Sequence, residues 1–199
     1  MASSTKLDEL KERLQDDLSL QTYMHDTYNI FTILKAEHEL VLPSFTTDDA
    51  WAICSALREI LCSMPAVSAV VDVSLANSNH VLAHATTHGT WPESDIWVSR
   101  KRNTVCRWGH STWYMAQAQM GSGVPMDQIS PHKLEESFAL GETASDYTVQ
   151  GGGFPIRVRD VEGAVAVVVV HGLSGSGSLD HELIIQVLRA YLQDLASSR

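Results

Sequence analysis

Gly151-Gly-Gly-Phe-Pro-Ile156, then Ala164-Val-Ala-Val-Val-Val-Val170, then His171-Gly-Leu173 is the stretch that decides the fold. The seven consecutive apolar residues of Ala164–Val170, five of them valine, are too short for an ordinary helix and strongly β-branched. Valine's stiff χ1 fits a pleated surface, so the run reads as a central strand buried on both faces. Just upstream, Ile156, Val158 and Val161 lie among Arg157, Arg159 and Asp160, the pattern of a shorter, half-exposed strand. Glu162-Gly163 supplies the turn that pairs the two as a hairpin. The triple glycine lets backbone approach backbone or ligand, and Pro155 fixes φ at the strand's mouth. At its far end the valine strand delivers His171 into Gly172-Leu-Ser-Gly-Ser-Gly177. A titratable side chain leaving a buried strand for a glycine-rich loop is a place for chemistry.

Outward from this hairpin, other elements follow from periodicity. Leu7, Leu10, Leu14 and Leu18 make the narrow stripe of an N-terminal amphipathic helix within residues 1–25. Such a stripe suits docking onto the rest of the chain or a seam with a partner. Residues 27–42 alternate poorly until Leu40-Val-Leu42, a short strand before Pro43. Thr46-Thr-Asp-Asp49 opens a helix whose apolar face runs from Ala50 to Leu61, with Pro65 as its stop. Ala66–Ala76 and Val81–Thr86 form a second hairpin about Asn77-Ser-Asn79. Ser94 caps a helix through Val105, and His110–Met120 continues as helix. Ser130-Pro131 starts a short helix, and 143–150 is loop or strand edge. Leu183–Leu195 closes the chain as a long helix capped by Ser178 or Asp180. With no linker or repeat, residues 26–199 form one α+β domain: helices flanking a mostly antiparallel sheet, in layers.

Composition limits the partners. A net charge of −10 argues against nucleic acid and anionic membrane as partners. The start of the chain lacks a signal-like apolar region and no run reaches a membrane span, so a cytoplasmic location is expected. Cys54, Cys62 and Cys106 form no CxxC pair and read as reduced, buried structural thiols. His80, His84 and His88 recur every four residues, but on a strand that spacing is roughly 13 Å, too far for one ion, so no metal site is assigned.

Five motifs occur in order: Glu39–Phe45 with Asp48-Asp-Ala-Trp51, Asp95–Val105, Gly152–Ile156, Val170–Leu173 and Asp180-His181. Together they resemble the uncharacterised cytosolic branch of the haem-degrading-domain superfamily, from about residue 30 to the C-terminus. The resemblance implies a sheet flanked by helices, a homo-oligomer of at least two chains, and haem as a possible cofactor. Some members of the superfamily bind haem, and one member of this branch is associated with protein targeting. The chain departs from the pattern at Ser94–Asp95, at Asp160–Gly163, at His171 in place of a serine, and in a longer loop at Ser174–Leu179.

Three functions are compatible with these residues. A small-molecule binder, haem-related on the strength of the resemblance, would use His171, His110 or His181 beside a carboxylate clamp of Arg100 and Lys101. Trp97 or Trp108 would form its wall, and Gly152, Gly153 and Phe154 would line its mouth. A metal-free isomerase, lyase or cyclase would use His171 as acid or base, with Asp180 and His181 beside it. A non-enzymatic adaptor of the protein-targeting machinery would use the N-terminal stripe or the acidic surface. For each single histidine the commoner fate is a satisfied structural role, and for exposed basic residues it is ion pairing. The expectation that follows is convergence of three segments: Gly151–Pro155, Arg100–Lys101 and His171–His181.

Overall fold

The computed structural model describes residues 5–16, 29–121, 131–173 and 178–197. In chain order these form α1 (Lys6–Asp16), α2 (Ile30–Glu39), β1 (Val41–Leu42), α3 (Thr47–Ser63), β2 (Val70–Leu75) and β3 (Val81–Thr86). There follow α4 (Ser94–Trp108), α5 (Thr112–Gly121), α6 (Pro131–Phe138), a 3₁₀ turn at Gly141–Asp146, β4 (Gly153–Val158), β5 (Ala166–His171) and α7 (Ser178–Ser197). The strands make one sheet in the order β1-β4-β5-β2-β3. All neighbours are antiparallel except β1 and β4. The valine strand β5 is therefore the middle of the sheet, and the architecture is the expected α+β layering.

Alternation along β5 sends its side chains to two cores. Ala166, Val168 and Val170, with Val71, Val73, Phe154 and Ile156, pack under α3 and α7. On the opposite face Val167 and Val169 join Val70 against Val98 and Val105 of α4. A third apolar cluster gathers Ile33, Trp113, Met115, Leu134 and Leu140 around α2, α5 and α6. The N-terminal stripe is docked: Leu10 and Leu14 are buried in the α3–α7 core, while the backbone N–H groups of Lys6 and Leu7 donate to Asp194 of α7. Leu18 lies outside the described residues.

Several boundaries differ from the sequence expectation, each for a local reason. Residues 30–39, read as irregular, are α2, whose Asn29 side chain accepts from the N–H groups of Phe31 and Thr32. Only Ile33, Ala36 and Glu37 of this helix are buried, too short a stripe to set a period. Strand β4 begins at Gly153 and is buried through Ile156, while Val161 is exposed and lies beyond it. Pro155 is tolerated because the bonds to the β5 side run through its neighbours: the N–H groups of Val170 and Val165 donate to the carbonyls of Gly152 and Ile156. Its nitrogen faces the other edge, where β1 pairs only with Arg157 and Val158. Thr46 and Asp49 form the expected cap of α3 as a reciprocal capping box. Helix α4 has no side-chain cap: Ser94 is its first residue. Gly109, left-handed at φ +71°, breaks the helix expected to continue from His110, and α5 starts at Thr112. Asp180 lies inside the first turn of α7 and is engaged elsewhere. Of the three thiols only Cys54 is buried; Cys62 and Cys106 are exposed. No helix among the described residues is long and apolar enough to cross a membrane.

Val168 has no exposed surface in the middle strand and pairs with Phe154 on one side and Val73 on the other. Val168→Ala should cost roughly 2–4 kcal/mol through lost methyls and the cavity left behind. Urea unfolding of the two proteins measures it, and a cost below about 0.5 kcal/mol would contradict the packing described.

Candidate functional site

Helix α4 is amphipathic in an uncommon way, because two of the side chains it turns inward are Lys101 and Arg102. Lys101 is wholly buried. Its ammonium donates to the Val170 carbonyl at 2.8 Å and to Asp180 Oδ2 at 2.9 Å. Asp180, also buried, accepts the Leu173 N–H at 3.0 Å on its other oxygen. Burial pushes the Lys101 ammonium down and the Asp180 carboxyl up, and each charge opposes the shift of the other. Gly152 completes this junction. A Cβ there would lie 2.3 Å from the Val170 carbonyl and 2.8 Å from the Lys101 ammonium, on a backbone at φ +104°. Only glycine fits.

The three segments expected to converge do meet, but in two layers. The inner layer is the packed junction of Gly152, Lys101 and Asp180. Lys101 is therefore engaged internally, with no open face for a ligand carboxylate, which corrects its expected part in the clamp. Gly153 and Phe154 are likewise internal: a Cβ on Gly153 would lie 2.9 Å from Thr112, and Phe154 has no exposed surface. These glycines let helices close on the strand.

The outer layer is half-exposed. The His171 ring stacks on Trp97 with centroids 5.6 Å apart and planes 18° apart. Arg100 holds its guanidinium 5.0 Å above the same indole, and among the described residues it makes no ion pair. Burial, then the charge of Lys101, pushes the His171 imidazole down to about 4, so near neutral pH it is uncharged. The arrangement offers an aromatic plane, one neutral nitrogen donor or acceptor, and one cation. Residues 174–177, which follow in sequence, lie outside the described residues.

His181 and His110 fall elsewhere. His181 is buried against Phe154, ring centroids 5.8 Å apart. Burial lowers its imidazole to about 4, against the opposing pull of Glu37. His110, beyond the other end of α4, presents Nδ1 to Glu37 at 2.7 Å and stacks on Tyr114 at 4.2 Å. Glu37 also accepts the Ser111 N–H at 2.7 Å, and despite its burial these hydrogen bonds hold its carboxyl below the ordinary glutamate value. At the sheet edge His84 Nδ1 donates to buried Asp72 at 3.0 Å, and its Nε2 lies 3.6 Å from Asp95. Both carboxylate–histidine pairs escaped the sequence reading, since each joins residues from different elements. The alternation around Asp72, polar within an apolar strand, was the one signal available for the second. No cluster of three or more metal-ligating side chains occurs among the described residues.

Two consequences are measurable. Removing one partner of the buried ion pair strands the other charge, so Lys101→Met or Asp180→Leu should cost about 3–5 kcal/mol. The double substitution Lys101→Met, Asp180→Leu should recover much of that loss, and additive unfolding free energies in the cycle would contradict the pairing. His181 binds a proton less readily folded, at about 4, than unfolded, at about 6.5. The unfolded chain thus carries more protons between these values. The contribution is complete above about pH 6.5 and falls away as pH drops towards 4, an effect of about 3 kcal/mol. Thermal melts across that range should lose less stability in His181→Gln than in the parent, and parallel curves would refute the assignment.

Comparison with known proteins agrees with this architecture. A family model described as haem degrading protein HbpS-like matches residues 45–189. A UPF0303 protein of Streptomyces coelicolor is 33% identical over 156 residues, covering 78% of this chain and 89% of its own. One from Psychromonas ingrahamii is 29% identical over 175 residues, 88% of this chain and all of that one. Among solved structures, the Ybr137w protein superposes with a TM-score of 0.73 at 24% identity, over 90% of this chain and 95% of its own. A double mutant of HbpS from Streptomyces reticuli gives 0.53 at 20% identity, over 73% of this chain and 85% of its own. These structural likenesses concern the fold. With the family model spanning well over half its length, the chain belongs to the HbpS-like haem-degrading-protein family and is kin to the UPF0303 proteins.

Proposed function

We propose that this protein binds a small, planar, anionic molecule at the exposed end of β5, and that haem or a haem-related tetrapyrrole is the class of ligand. The observation that carries the proposal is the stacked trio of Trp97, His171 and Arg100. A tetrapyrrole offers a flat apolar face, carboxylates and, when metallated, an iron that takes an imidazole nitrogen. The residues present fit those needs. The indole supplies a plane, the guanidinium a partner for one carboxylate, and the uncharged imidazole a donor nitrogen. Kinship with a family described as haem-degrading supports the same class.

A cofactor-independent isomerase, lyase or cyclase would need His171 to take a proton near neutral pH. A conjugate acid near 4 makes it a weak base there, so the geometry favours binding over proton abstraction. An adaptor built on the N-terminal stripe gains little from α1, whose Leu10 and Leu14 are already covered. Homo-oligomerisation belongs to this proposal too. The segment from β3 to the start of α4 exposes Val81, Trp91 and Ile96, apolar surface of the kind that subunit contacts cover.

Hemin titration tests the proposal through the Soret band. The parent should bind with a shifted Soret maximum. His171→Ala should lose the shifted band and about tenfold or more in affinity, and Arg100→Met should weaken binding with the band position kept. Absence of saturable hemin binding, or an unchanged spectrum in His171→Ala, would overturn it.

A further inference from the structure

The C-terminal end of α4 faces a second feature, some distance from the Trp97–His171 stack and unrelated to it. An open groove of about 450 Å³ lies there. It is lined by Ala76, Val105, Trp108 and Ala164, and by Gly109 and Gly163. Neither glycine has a neighbour within 4 Å of where a Cβ would sit, so both present bare main chain. The volume is within the ordinary range for small-molecule sites.

One arginine lines this groove and two more lie behind it, and among the described residues none of the three forms an ion pair with a carboxylate. Arg107 lines it directly. Its guanidinium lies 5.4 Å from the Trp108 ring centroid and 5.3 Å from that of Tyr147, and it donates to the Tyr147 hydroxyl at 3.2 Å. The cation is thus held in place by two aromatic rings rather than swinging free. Arg157 donates to the carbonyl of Gly109, a lining residue. Arg102 is 8% exposed and donates only to neutral acceptors, the Ser74 hydroxyl at 3.0 Å and the Leu75 carbonyl at 2.8 Å. Its charge draws down the thiol of Cys106, another lining residue, against the larger upward push of burial.

A buried guanidinium with no counter-charge is costly, and such charges are normally paired. In a chain of net charge −10 the carboxylates to pair these arginines were abundant. The bland explanation is that the arginines offset the helix dipole, which places about half a negative charge at the end of α4. Arg107, the one basic residue in the last turn of α4, already exceeds that, which leaves Arg102 and Arg157 unexplained by it. Glu162, beside Gly163 in sequence, is exposed and makes no ion pair with them.

We infer that this groove is an anion-binding site for a small organic carboxylate or phosphate: Arg107 holds the acidic group, Arg102 and Arg157 add positive potential from behind the lining, and the apolar lining with Trp108 covers the body. The site is independent of the tetrapyrrole proposal, because it shares no residue with the Trp97–His171–Arg100 trio.

Calorimetric titration of the intact protein with three probes tests the inference: phenyl phosphate, benzoate and inorganic phosphate. Phenyl phosphate or benzoate should bind saturably, and whichever binds tighter identifies phosphate or carboxylate as the preferred head group. Inorganic phosphate should bind at least about tenfold more weakly than phenyl phosphate, since it leaves the apolar lining unused. Arg107→Met should weaken the better probe about tenfold or more, and Arg107→Lys, which keeps the charge and loses the planar fork, by a smaller factor. No saturable binding of either organic probe at millimolar concentration would overturn the inference. So would equal binding by a folded Arg107→Met or, should that variant not fold, by Arg107→Lys. Loss in Arg100→Met alone would place the anion at the other site and equally overturn it. Inorganic phosphate binding as tightly as phenyl phosphate would overturn the role given to the apolar lining.

Discussion

The rest of this structure depends on one buried contact, that of the Lys101 ammonium with Asp180 and the Val170 carbonyl. It joins four elements at a point where none could be moved alone. Lys101 comes from α4 on one face of the sheet, Asp180 from the first turn of α7, Val170 from β5, and Gly152 from the approach to β4. An ion pair out of water is not favourable in itself against an apolar replacement, since desolvation consumes much of the Coulomb gain. Its effect is directional. Any other docking of α4 or α7 would leave a buried charge without its partner, and that penalty fixes how the two helices sit relative to the end of β5.

That fixed end is what makes an exposed site possible. Val167 and Val169 anchor α4 to one face of β5, while Val168 and Val170 anchor α3 and α7 to the other. The next residue, His171, has nowhere to go but the rim. It lies on Trp97, one helical turn before Lys101, and Arg100 sits over the same indole. A rigid core thus presents a polar trio whose geometry is set by packing beneath it, the arrangement that binding sites require. The same helix carries the Arg107 cluster near its other end, so α4 organises both surfaces to which a ligand is assigned here.

Much of the fold was legible because it rests on local chemistry. The valine run could only be a buried strand, Thr46 with Asp49 could only open a helix, and Asn77–Asn79 could only be a turn. The stripe of leucines correctly marked α1, though not which of its two uses it would take. What failed were elements whose period is short or whose ends depend on neighbours. α2 buries three residues, and β4 starts among glycines that have no side chain to alternate. Convergence at the end of β5 was also legible, since a polar residue leaving an apolar run and a basic helix both stood out in an acidic chain.

By itself the sequence determined the layered α+β fold, the central place of β5, and a polar rim at His171, because these follow from side-chain period, β-branching and turn chemistry. Only the tertiary structure decided what each charged residue does. Arg100 and Lys101 are adjacent in sequence and identical in sign, yet one faces solvent over an indole and the other is locked to Asp180. His84 found Asp72, and His110 found Glu37 across 73 residues of chain. The reason is physical: burial depends on which side of α4 meets the sheet, and a 100° step per residue in a helix sends neighbours to opposite environments. Charge is written in the sequence; its partner is chosen by the packing.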